Sequence, residues 1–158
     1  MGLIYLDTCL LIYLLEDVPA LGAQVRAAMQ REQQQGQQQG QQKGQQKGQQ
    51  KGQQVQPQRG GRFAISALVK LECLVAPIRD GNLVLQRYYE DALAQLELLP
   101  MPEAVFIQAA QLRARFGIKT ADALHLACAQ HHGCQALWTN DDRLAQAAHG
   151  LVVKVAGI

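Results

Sequence analysis

Residues 3–15 read Leu-Ile-Tyr-Leu-Asp-Thr-Cys-Leu-Leu-Ile-Tyr-Leu-Leu, and a single acid interrupts the run. Residues 3–6 have the unbroken apolar character of a strand covered on both faces, and residues 10–16 carry a helical pattern. Asp7 stands at the junction, where a carboxylate is partly desolvated. It can cap the helix, a role worth about 1 kcal/mol. Thr8 can cap as well, which leaves Asp7 available for other work.

The same strand-then-helix order recurs along the chain. Leu21, Val25 and Met29 lie on one stripe of a second helix. Residues 63–65 predict a short strand, Ser66 an N-cap, and 67–76 a helix that stops before Pro77. A helix over 83–95 precedes a strand at 96–99 bounded by Pro100 and Pro102, and a helix over 103–116 closes at Gly117. Thr120 then caps a helix to His132, 136–139 is a strand, 143–148 a short helix, and 151–155 a last strand. Strands separated by helices imply an α/β fold, a central parallel sheet with helices on both faces.

Between these elements lies a low-complexity insert at 33–58. From Gln33 to Gly52 it repeats QQQG twice and QQKG three times, with no apolar residue before Val55. With nothing to offset the entropy of ordering, it is expected to be disordered, a tolerated loop expansion. The remaining length, with 48% apolar residues overall, suits one domain over 1–158.

Charge offers no sign of a polyanion partner. The formal charge is +2, but the insert holds Lys43, Lys47 and Lys51 and no acid. Without it 12 basic and 13 acidic residues remain, or −1. No stretch approaches the ~18 apolar residues of a membrane span, and the opening lacks the basic region of a secretory signal, so a cytoplasmic location without membrane contact is expected. Cys9, Cys73, Cys128 and Cys134 form no C-x-x-C pair and read as reduced, mostly core residues.

Three further acids break local pattern. Glu72, flanked at helical spacing by Leu68 and Val75 and beside Leu71, falls within an apolar stripe, where an unpaired carboxylate costs several kcal/mol. Asp122 lies in the first turn of its helix, and Asp141 directly follows a strand, positions where a capping role competes. Asp142 shares the latter position. Ligand sites of open parallel sheets lie beyond the carboxyl ends of the strands, which is where these acids are expected to meet. Four carboxylates there repel unless cations neutralise them, and oxygen ligands select Mg²⁺ or Mn²⁺ over zinc. Phosphodiester hydrolysis by a metal-activated water is the corresponding chemistry.

The segments YLDTCLLIYLLE (5–16), ISALVKLECL (65–74), TADALHLACA (120–129) and LWTNDDRL (137–144) resemble, in order, the four motifs of PIN domains, and most of all those of the VapC-type ribonuclease toxins. The resemblance implies a PIN-like fold and a metal site of Asp7, Glu72, Asp122 and Asp141. It makes Thr8, Ser66, Thr139, Asn140 and Asp142 supporting groups. It further implies Mg²⁺ or Mn²⁺ as cofactor, RNA as substrate, a cognate antitoxin as partner, and a homodimer. The chain departs from many relatives in carrying Cys9 where they have asparagine, and in its insert.

Two other functions compete. A paired-aspartate phosphatase would want an acid two residues after Asp7, where Cys9 stands, and a receiver domain would want a late lysine, for which only Lys154 is available. A PIN-like scaffold that binds RNA or protein without cutting would not need all four acids. His125, three residues after Asp122, reads as a helix-surface or capping residue. His131 and His132 suit a helix end, and Arg113, Arg115 and Lys119 read as solvated cations.

Replacing 33–58 by a short Gly-Ser linker should leave the melting temperature nearly unchanged, since loop length costs only about 0.6 kcal/mol per doubling. A large drop in a thermal melt would show that the segment packs.

Overall fold

The computed structural model describes residues 2–44 and 63–155. In chain order these form β1 (Ile4–Leu6), α1 (Thr8–Leu15), α2 (Leu21–Gly44), β2 (Phe63–Ser66), α3 (Ala67–Arg79), α4 (Leu83–Leu93), β3 (Glu97–Leu99), α5 (Glu103–Phe116), α6 (Thr120–His131), β4 (Ala136–Thr139), α7 (Asp142–Ala147) and β5 (Val152–Lys154). The strands make one sheet in the order β3-β2-β1-β4-β5, with every pairing parallel.

Consecutive residues of a strand face opposite sides of the sheet, yet every residue of β1, β2 and β4 is buried. Helices therefore cover both faces, and the continuous apolar runs of these strands are explained by it. Edge strands β3 and β5 are more exposed. The centre of the core is α6, where Ala123, His125, Leu126, Ala127, Cys128 and Ala129 are all buried. Alanines on several sides of the helix allow this close approach.

Strand order places the site. The chain runs from β1 outward to β2 and β3, then returns to lay β4 on the other flank of β1. The reversal opens a crevice beyond the carboxyl ends of β1 and β4. There the amide of Asp7 donates to the Trp138 carbonyl at 3.0 Å, extending the β1–β4 ladder to the first residue past the strand.

Some local expectations are corrected. Helix α3 continues through Pro77 to Arg79: the proline forfeits one bond, to the carbonyl four residues back, but its fixed φ is helical and its ring is buried in line with Val69 and Cys73. Thr120 is the first helical residue of α6, while Lys119 occupies the cap position without a side-chain hydrogen bond. Ser66 holds the cap position of α3 but does not cap; its hydroxyl pairs with Tyr5 instead. Helix α2 runs into the glutamine repeat as far as Gly44. Elongating an existing helix needs no new nucleus, and glutamine is a good helix former. The rest of the insert, 45–58, lies outside the described residues. The cysteines are free, with Cys73, Cys128 and Cys134 buried.

Gly117 ends α5 in the left-handed region at φ 65°, its amide closing on the Arg113 carbonyl at 2.8 Å. Nothing lies within 4 Å of an added Cβ, so only backbone strain resists substitution. Gly117→Ala should lower stability by about 1 kcal/mol in a denaturant titration. No loss would mean that the α5–α6 turn adjusts freely.

Candidate active site

The crevice is a cleft of about 840 Å³ whose lining includes Asp7, Glu72, Asp122, Asn140, Asp141 and Asp142. The acids expected from sequence thus meet at one place, each carried there by a different element.

Asp7 is the most deeply placed, at 8% exposure. It caps α1, accepting from the Thr8 amide at 2.7 Å on Oδ1 and from the Thr139 hydroxyl at 2.5 Å on Oδ2. The capping role and the cleft-lining role coincide in one carboxylate. Thr139, the last residue of β4, bridges the strands because its oxygen also accepts from the Asp141 amide at 3.1 Å.

Glu72 reaches the cleft from α3. The buried line of that helix is Val69, Cys73 and Pro77, at i, i+4 and i+8. Leu71 and Val75, expected to share a core-facing stripe with Glu72, are exposed and line the mouth of the cleft. Burial by itself would raise the Glu72 pKa, but hydrogen bonds from His125 and the Thr8 hydroxyl outweigh it and hold the carboxyl below its ordinary range. Thr8 therefore serves both acids, Asp7 through its amide and Glu72 through its hydroxyl.

Asp122, half-buried in the first turn of α6, is pushed the other way: burial, then the charges of Asp141 and Asp7, raise its pKa. Burial also pushes on Asp141, but the Arg143 amide and guanidinium more than compensate and lower it. Asp141 caps α7 through that amide at 2.9 Å. Asp142 also lines the cleft and forms an exposed ion pair with Lys154 at 2.6 Å.

His125 is a correction. Neither on the helix surface nor at a cap, it is 1% exposed, with Nε2 2.8 Å from Glu72 Oε2 and 3.6 Å from Asp7. Asp7, Glu72 and His125 have ligand atoms close enough to share one cation. Arg143 was also missed in the sequence, since a cation after two aspartates suggests only a helix surface. Three residues read from sequence as helix-end or solvated groups have local partners: His132 donates to the Pro100 carbonyl at 2.7 Å, Arg113 to the Ile118 carbonyl at 3.1 Å, and Arg115 lies over Phe116.

The donor set fits a hard divalent cation. It consists of carboxylates plus Asn140 Oδ1, which is buried, adjoins the cleft and has no hydrogen-bond partner among the described residues. Burial, with Asp7 beside it, pushes the Cys9 thiol up to about 12, and the thiol lies 3.5 Å from Asp7 Oδ2 as a weak donor.

No curated protein matches the chain. Over 96–98% of its length the chain is similar to chains of three solved structures, of which it covers 97–99%. These are a toxin-antitoxin complex from Klebsiella pneumoniae (TM-score 0.67, 19% identity) and VapBC2 from Rickettsia felis bound to a DNA fragment from its promoter (0.67, 14%). The third is FitAcB from Neisseria gonorrhoeae (0.59, 17%). At such identities the likeness is one of fold. The PIN domain family model matches residues 47–150, about two thirds of the chain, including Glu72, Asp122 and Asp141. Asp7 precedes the match and reaches the same cleft through β1. By that match the chain belongs to the PIN domain family.

Proposed function

We propose that this chain is a metal-dependent endoribonuclease of the VapC kind, the toxin of a type II toxin–antitoxin pair. The observation that carries the reading is the convergence of Asp7, Glu72, Asp122 and Asp141 on one cleft beside the unpartnered oxygen of Asn140. Like charges at that density are costly without a counter-ion, and the charges of Asp141 and Asp7 add to burial in raising the pKa of Asp122. Mg²⁺ or Mn²⁺ held by these groups would supply an activated water and neutralise charge on a phosphate during in-line displacement.

The chain's own residues have separable tasks. Asp7 and Glu72 are fixed before anything binds, through Thr8, Thr139 and His125. Asp122 and Asp141 complete the ligand set from the facing side, with Arg143 lowering the net negative charge next to Asp141. Asn140 offers a neutral oxygen, and Ser66 acts further back, on Tyr5. Asp142 supports this side from the rim, paired with Lys154.

RNA as the substrate follows from the VapC resemblance, as do a cognate antitoxin, a homodimer and a cytoplasmic setting. The solved structure named as a toxin-antitoxin complex supports the antitoxin. Among the described residues no helix is long and apolar enough to cross a membrane. The reading treats 1–158 as a single PIN domain.

Millimolar Mn²⁺ should raise the melting temperature, because a ligand of the native state stabilises it in proportion to ln(1 + [L]/Kd). Asp7→Asn should remove most of that rise. An unchanged Mn²⁺ response in a thermal melt would reduce Asp7 to a helix cap.

Purified protein should cut an RNA with a single-stranded loop in Mg²⁺ or Mn²⁺, stop with chelator, and leave duplex DNA intact. Asp7→Asn, Glu72→Gln and Asp122→Asn should each abolish most cleavage, and pairs should lose little more, since the groups act as a unit. Asp141→Asn should lose less where Asp142 takes its place. Cleavage that survives chelator would refute the metal mechanism.

A further inference from the structure

Behind the cleft wall runs a chain of polar side chains inside the apolar core. The Tyr5 hydroxyl lies 2.7 Å from Ser66 Oγ and 2.8 Å from His125 Nδ1, and His125 Nε2 lies 2.8 Å from Glu72 Oε2. Ser66 and Tyr5 are fully buried and His125 is 1% exposed. Four elements contribute: β2, β1, α6 and α3.

Each link has a direction. An ionised Glu72 carboxylate only accepts, so Nε2 carries a hydrogen in either charge state of the ring. In the neutral ring Nδ1 is then an acceptor. The Tyr5 hydroxyl donates to it, and the Tyr5 oxygen accepts from Ser66. Every polar atom along the line finds a partner, the condition under which a buried network rigidifies a core. Among the described residues it reaches the cleft at the Glu72 oxygen.

We propose that His125 is a positioning residue for Glu72, held in place by Tyr5 and Ser66, and that it aims the Glu72 carboxylate at the bound cation without ligating the cation itself. Glu72 needs this anchor, because its side chain is 28% exposed and flanked by the exposed Leu71 and Val75. Thr8 alone fixes it from one side. His125 adds a second, rigid donor from the most buried helix. The proposal rests on the metal-site reading above.

The test compares Mn²⁺ affinity by calorimetry with RNA cleavage in His125→Leu, His125→Gln and Asp7→Asn. Leucine fills the buried site without a donor, and glutamine restores an N–H near the Nε2 position. His125→Leu should weaken Mn²⁺ binding and lower kcat by about 10- to 100-fold, the usual cost of losing a hydrogen bond to a metal ligand, with KM for RNA nearly unchanged. His125→Gln should recover most of both. Loss of Mn²⁺ binding in Asp7→Asn together with wild-type affinity in His125→Leu would overturn the positioning role alone. Wild-type affinity in Asp7→Asn would overturn the metal site itself. Should the leucine variant fail to fold, nitrogen-15 spectra of wild-type histidine decide the matter. A protected Nε2–H signal should persist on saturation with Mg²⁺, and its disappearance would make His125 a ligand and sink the proposal.

Discussion

An 8%-exposed carboxylate at the end of the central strand, Asp7, has no lysine or arginine paired with it among the described residues, and much of the local architecture answers to that charge. Stabilisation comes from neutral donors: a backbone amide at the start of α1, the Thr139 hydroxyl at the end of β4, and the weak Cys9 thiol. Hydrogen bonds to an anion are worth about 1.5–3 kcal/mol each, enough to hold it in place yet not enough to cancel its field. That residual field adds to burial and to the charge of Asp141 in raising the Asp122 pKa. A fully satisfied Asp7, paired with an arginine, would have made a more comfortable core and a poorer cation site.

Threonine at position 8 is the joint between the two halves of the site. Its amide belongs to α1 and its hydroxyl faces α3, so Asp7 and Glu72 are held by one residue. Parallel topology makes this possible, because β1 and β2 both end at the same edge and α1 and α3 start there together. Position 139 plays the matching part on the β4 side. Both are β-branched with few rotamers, so the hydroxyls are aimed at little entropic cost.

How much of this was legible in the sequence depends on the range of the forces involved. The strand–helix order was readable because β1, β2 and β4 are buried on both faces and carry unbroken apolar runs. Asp7 stood out for the same reason, as a charge beside such a run. Glu72 was found by a partly mistaken argument: Leu71 and Val75 lie beside it, but they border the cleft, and the core face is Val69, Cys73 and Pro77. An apolar stripe does not say whether it meets core or cleft. His125 was misplaced because nothing within its own helix reveals that all sides of α6 are enclosed. Tyr5 carried the available hint: a tyrosine inside a three-residue buried strand needs a partner for its hydroxyl, and only side chains distant in sequence could provide one. The Arg143 and Lys154 ion pairs depend on where α7 and β5 come to rest, which local pattern does not encode.

The charge distribution bears on how such a site would engage a polyanion. Outside the glutamine insert the chain is close to neutral, at −1, and the cleft is its acidic part. An RNA backbone approaching that cleft meets repulsion from several carboxylates, and the cations near it among the described residues are Arg143, itself engaged with Asp141, and Lys119. Without a cation the cleft is therefore a poor place for phosphate, and with one it becomes a local positive focus inside a negative frame. On the proposed reading, substrate contact and catalysis then share one requirement. The same ion that relieves the repulsion around Asp122 makes phosphate welcome, so an empty site neither holds RNA well nor cuts it, and metal occupancy governs both.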